Sequence, residues 1–116
     1  MISGLLVAGV GALVFGFVVR SMNRGPDVSD LVEEELLKGA VVVDVRSAAE
    51  FASGHVAGAL NIPVDQIAAR MGELPADKTV IVYCRSGARS AAAARTLTSA
   101  GRKVVDARTA GSFPNR

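Results

Sequence analysis

At 116 residues the chain has room for one domain and little besides. Apolar residues make up 50% of it and aromatics only 4%, with no tryptophan, so any core is built from Val, Leu, Ile and Ala. The formal charge of +2 belongs to Arg20 and Arg24; the other basic and acidic residues balance, which removes the electrostatic case for a nucleic-acid surface.

The first element is Met1–Val19, which carries no charged side chain. As a helix rising about 1.5 Å per residue it spans roughly 28 Å, close to the hydrocarbon thickness of a bilayer. It is apolar all round, unlike a core helix with a polar face, and its charges follow rather than precede it, unlike a secretory signal. These features predict a transmembrane helix over residues 1–20. Arg20 and Arg24 then place the rest in the cytoplasm and the N-terminus outside, as a single-pass protein of the cell membrane. Gly4, Ala8, Ala12 and Gly16 recur at intervals of four, a ridge suited to helix–helix self-association or to a membrane-protein partner.

Residues 21–27 read as a linker punctuated by Arg24-Gly25-Pro26, and residues 28–116 as the folded domain. Ser29 is placed to cap a helix that stops at Gly39. Val41–Val45 is an apolar run broken only by Asp44, which suits a strand buried on both faces. Ser47 can cap a short helix over Ala48–Ala52, and Asp65–Gly72 reads as another helix. Thr79–Tyr83 is a second buried strand, followed by a helix from about Arg89 to Ala100 that Gly101 closes. Lys103–Asp106 is a third strand. Strands alternating with helices predict an α/β domain with a mostly parallel central sheet flanked by helices, and ligands in such sheets bind beyond the carboxyl ends of the strands.

Cys84, the only cysteine, stands at such an end. It opens the loop Cys84-Arg85-Ser86-Gly87-Ala88-Arg89, which leads straight into a helix. Cations and a helix N-terminus both lower the pKa of a thiol and favour the nucleophilic thiolate. A loop curled around its first side chain turns its backbone N–H groups inward as an anion cradle, and Gly87 allows the curvature. Arg85 and Arg89 add fork-shaped donors for an oxyanion. No acidic residue lies between Asp77 and Asp106, so nothing nearby in sequence neutralises them. One cysteine and one histidine do not make a metal site, and no cofactor signature is present.

Asp44-Val45-Arg46, Glu50-Phe51, the segment Gly54-His55-Val56-Ala57-Gly58-Ala59-Leu60-Asn61-Ile62-Pro63, and Val82-Tyr83-Cys84-Arg85-Ser86-Gly87-Ala88-Arg89-Ser90 together resemble the rhodanese family, in its order and at its spacing. The resemblance runs from about Val28 to Val105. It implies a rhodanese-like α/β domain and transfer of a sulfane sulfur through a cysteine persulfide. The donor would be a small molecule such as thiosulfate, and the acceptor a thiol or cyanide. Cys84 would be the nucleophile and residues 85–89 the substrate cradle. Asp44, a carboxylate inside an apolar strand, needs buried partners such as backbone N–H groups or Arg46. Glu50 is expected to pair with a base near the site, and His55 looks like a turn element rather than a catalyst.

Two other classes compete. Cysteine phosphatases and arsenate reductases resemble this loop but place five residues between Cys and Arg, whereas Arg85 to Ala88 here are four, too tight for a tetrahedral phosphate. A membrane-tethered sulfur-relay or docking module without free-standing turnover would keep every motif. The C-terminus departs from the family pattern: Asp106–Arg116 is short and lacks the tryptophan-containing closing helix.

Overall fold

The computed structural model describes residues 27–114. Helix α1 spans Val28–Leu37. Its cap is Asp27 rather than Ser29: the Asp27 carboxylate accepts from the Ser29 N–H, because the acid stands two residues earlier, directly before the first helical residue. Gly39, at φ +91°, ends it in a left-handed conformation that a residue with a side chain adopts only with strain.

Strand β1 is Val41–Asp44 and helix α2 is Ala48–Ala52. Ser47 and Glu50 close a capping box at the start of α2, each side chain accepting the other's backbone N–H at 3.2 and 3.0 Å. Strand β2, Leu60–Asn61, pairs beside β1 and is too short to leave a periodic signal. Where one helix over Asp65–Gly72 is expected, the chain makes a 3₁₀ turn (Val64–Gln66), one α-turn (α3, Ile67–Arg70) and a second 3₁₀ turn (Met71–Glu73). Strand β3 is Val80–Cys84, helix α4 is Ala88–Ser99 and strand β4 is Val104–Thr109.

The four strands run in the order β2-β1-β3-β4, all parallel. Alternation along β1 and β3 sorts their side chains onto two cores. Val43, Val45, Val80, Val82 and Cys84 pack with Ile67, Ala93 and Leu97 beneath α3 and α4. Val42, Ile81 and Tyr83 pack with Val32, Val105, Ala107 and Phe113 on the α1 side. Cys84 and Tyr83 therefore face opposite sides of the sheet although they are neighbours. Burial of each large aliphatic side chain contributes about 1.5–3 kcal/mol, and β1 and β3, in the middle, carry the carboxyl-end loops.

β4 is longer than the expected Lys103–Asp106. It carries a bulge: Asp106 pairs with Val82 and Arg108 with Tyr83, which leaves Ala107 as an extra residue. A 3₁₀ turn, Ala110–Ser112, replaces a closing helix, and Phe113 packs edge-on against Tyr83 with ring centroids 5.3 Å apart.

The expected placement in a cell membrane does not stand. Among the described residues no helix is long and apolar enough to cross a membrane. The longest, α4, has 12 residues, and at about 1.5 Å each it falls far short of a span of roughly 30 Å. The expected span over residues 1–20, with its Gly4–Gly16 ridge, and the linker up to Pro26 lie outside the described residues.

Candidate active site

Cys84 is the last residue of β3 and is 2% exposed. The chain turns immediately back into α4. Gly87 makes this possible at φ +106°, and its N–H donates to the Cys84 Sγ at 3.0 Å. The Ser90 N–H, in the first turn of α4, donates to the same sulfur at 3.3 Å. Two backbone donors and a helix start thus converge on one sulfur. Burial pushes the thiol up; the N–H groups of Ser90, Gly87 and Ser86 outweigh it and hold the thiol below its ordinary value. The Ser90 side chain also favours the thiolate, and its hydroxyl donates to the Gly87 carbonyl at 3.1 Å.

A direct consequence concerns pH. Thiolate persists below the range where an ordinary cysteine protonates, so the rate of alkylation by iodoacetamide is expected to rise to its plateau with a midpoint below that of the urea-unfolded chain. A folded midpoint at or above the unfolded one would contradict the cradle.

The sulfur opens into a cleft of about 390 Å³ lined by Arg46, Gly54, His55, Val56, Tyr83, Arg85 and the segment Thr109-Ala110-Gly111. Among the described residues no carboxylate lines it. The wall formed by Thr109–Gly111 comes from the short C-terminal stretch and is not among the expected site residues. Its only signal is Gly111, and the bulge that sets its position has no local signature.

The expected supporting residues divide into two networks. Asp44, fully buried, accepts from the Arg46 backbone N–H at 2.9 Å, from Arg46 Nε and Nη2 at 2.9 and 2.6 Å, and from the Tyr83 hydroxyl at 2.7 Å. Burial pushes its carboxyl up, but the Arg46 and Tyr83 hydrogen bonds prevail and hold it below its ordinary value. The Tyr83 hydroxyl also accepts from the Val56 N–H at 2.9 Å, and Arg46 Nη2 donates to the Gly54 carbonyl at 2.7 Å. Burial, reinforced by the Asp44 carboxylate, raises the Tyr83 phenol to about 12, so it remains a donor. This network fastens the Gly54–Val56 segment to the sheet. Asn61 joins it, donating to the carbonyls of Asp44 and Arg46 at 3.0 Å each.

The second network corrects an expectation. Arg89 is neutralised: its two terminal nitrogens meet Glu50 Oε1 and Oε2 at 2.7 and 3.2 Å. The partner comes from α2, so it is near in space and far in sequence. The Arg89 guanidinium, with the Ser47 backbone N–H, lowers the Glu50 carboxyl to about 2. Arg89 does not line the cleft, and neither do Ser86, Gly87 or Ala88, whose part in the loop is backbone. Arg85 is exposed, lines the cleft, and has no ion-pair partner among the described residues. His55 lies at the rim. Its ring stacks on Phe51 at 3.6 Å and its Nδ1 meets the Phe51 carbonyl at 2.8 Å, an arrangement that pins the turn after α2.

The chain matches a family model for the rhodanese-like domain over residues 27–112. It is 46% identical over 61 residues to a protein of Allochromatium vinosum named "Sulfurtransferase", covering 53% of this chain and 57% of that relative, less than two thirds of its length. It is 32% identical over 74 residues to "Thiosulfate sulfurtransferase GlpE" of Shewanella oneidensis, covering 64% of this chain and 73% of the relative. Among solved structures it resembles a rhodanese with anions from E. coli at a TM-score of 0.60 and 30% identity, covering 65% of this chain and 94% of the other.

Proposed function

The chain belongs to the rhodanese-like domain family, and on that premise we propose that it moves a sulfane sulfur from a donor such as thiosulfate to a thiol or cyanide through a persulfide on Cys84. The observation that carries this reading is the pair of backbone donors, Gly87 N–H and Ser90 N–H, aimed at a single buried sulfur at the foot of a cleft that no described acid lines. We assign the catalytic unit to residues 28–116.

In the first half-reaction the Cys84 thiolate attacks the outer sulfur of thiosulfate. A Cys84 S–S bond forms, the donor S–S bond breaks, and sulfite leaves with the electron pair. The product, Cys84–S–S⁻, keeps its charge beside the loop N–H groups and the start of α4, which act as preorganised donors. In the second half-reaction a thiolate or cyanide attacks the outer sulfur and Cys84 leaves as thiolate, restoring the starting state. Arg85, the cleft-lining arginine with no ion pair among the described residues, is the group we place against the donor oxyanion. Arg89 holds α2 against the loop through Glu50 instead.

Steady-state assay with thiosulfate and cyanide tests this reading. Sulfite and thiocyanate are expected in equal amounts, and Arg85→Ala should raise the KM for thiosulfate by about tenfold, the worth of one charge-assisted contact at a partly exposed site. Absence of thiocyanate, with sulfite still released stoichiometrically once, would favour the second reading, a relay that loads sulfur and hands it only to a dedicated acceptor. The longer loop of a phosphatase is absent, and we do not propose phosphate chemistry.

A further inference from the structure

Arg46 and Arg85 line the cleft, Arg89 and Arg108 adjoin the cysteine loop that forms its floor, and two of these four are already engaged. Arg46 is held by Asp44 and Arg89 by Glu50. Arg85 and Arg108 are exposed, and neither has an ion-pair partner among the described residues. Arg108 lies one residue before the end of β4, opposite Tyr83, with Thr109 opposite Cys84. Its stem rests on the cysteine loop: a Cβ placed on Gly87 would sit 3.7 Å from the Arg108 Cβ.

Arg108 is also the only described non-glycine residue with positive φ, at +70°. The Ala107 bulge forces it there, and Asp106 supports it by accepting the Arg108 N–H at 2.9 Å. Asp106 thus meets the Arg108 backbone N–H and forms no ion pair with its guanidinium. Left-handed backbone costs a residue like arginine roughly 1–2 kcal/mol, which glycine or asparagine largely avoids. Strain of this kind, held next to a reactive loop, points to use of the side chain. Arg108 does not line the cleft, so a small donor seated over Cys84 does not occupy it. A ligand that meets both free arginines has to extend beyond the mouth.

We infer that Arg85 and Arg108 form a cationic rim that docks an acidic polypeptide segment carrying the acceptor thiol. This rests on the sulfur-transfer reading above and specifies its acceptor. The thiolate of the docked segment attacks the outer sulfur of Cys84–S–S⁻; its own persulfide forms and the Cys84 thiolate leaves, with no external oxidant or reductant. The acidic flanks of the segment oppose the rim charges, which raises the rate of encounter more than it tightens the bound state.

The test compares two cysteine peptides of equal length, one flanked by Asp and Glu and the other by Asn and Gln, as acceptors for protein preloaded with thiosulfate. At low salt the acidic peptide is expected to receive sulfur about tenfold faster, an advantage that shrinks as salt screens the rim. Arg108→Gln, which keeps the stem, should remove a large part of that advantage and leave loading by thiosulfate unchanged. Arg108→Asn should do the same without loss of thermal stability, since asparagine tolerates the left-handed backbone. Equal rates for the two peptides, or an acidic preference untouched by Arg108→Gln, would overturn the inference. Failure of the wild type to load sulfur at all would instead strike the sulfur-transfer reading.

Discussion

Replacing Asp44 by alanine is expected to destabilise the folded chain by about 3–5 kcal/mol, the usual cost of removing one partner from a buried ion pair. The carboxylate is fully buried and receives three donors from Arg46 and one from Tyr83. Its removal leaves the Arg46 guanidinium half-buried without its counter-ion, and leaves the Tyr83 hydroxyl without an acceptor. A domain of this size is stable by only about 5–15 kcal/mol, so the loss is a large share. Asp44→Asn should cost less, since an amide oxygen still accepts from Tyr83. The sign with pH follows from the depressed carboxyl. The contribution of Asp44 is complete above the unfolded carboxylate range and is lost as pH falls through the folded value. Urea midpoints at pH 7 measure the effect, and a shift worth less than about 1 kcal/mol would show that the network is not structural.

The second large effect is on chemistry. Cys84→Ser should reduce turnover with thiosulfate and cyanide to background, a fall of about 10⁴-fold or more, as expected when a covalent nucleophile is lost. Serine occupies nearly the same volume and still meets the N–H groups of Gly87 and Ser90, so thermal stability should change by no more than about 1 kcal/mol. The hydroxyl stays protonated and cannot carry a sulfane sulfur. Retained turnover in a folded Cys84→Ser protein would place the nucleophile elsewhere.

What the sequence reveals follows from the range of each interaction. The apolar runs Val41–Val45 and Thr79–Tyr83 report strands buried on both faces, because burial on two faces removes the alternation. The Ser47–Glu50 box is legible because both partners lie within one turn. Asp44 is legible as a buried group because a carboxylate in an apolar run needs partners, and Arg46 is two residues away. The Glu50–Arg89 pair is not legible as a specific contact. It joins α2 to the start of α4, two helices that follow the central strands β1 and β3, and sequence separation hides the neutralisation of Arg89. The Tyr83–Val56 hydrogen bond is hidden in the same way. The Ala107 bulge, the left-handed Arg108 and the Thr109–Gly111 wall depend on strand register, which no local pattern in Val104–Thr109 announces. The membrane reading failed differently: it rested on residues 1–20 alone, and no described helix supports it.

Storage of a sulfur atom on Cys84 is the step on which the proposed transfer depends. Its most direct test is the intact mass of the protein after incubation with thiosulfate and removal of excess donor, measured beside Cys84→Ser. The wild type is expected to gain one sulfur atom, and cyanide should remove that gain as thiocyanate; the serine variant should gain nothing. An unchanged wild-type mass with thiosulfate and other sulfane donors, or an equal gain on both proteins, would contradict the account.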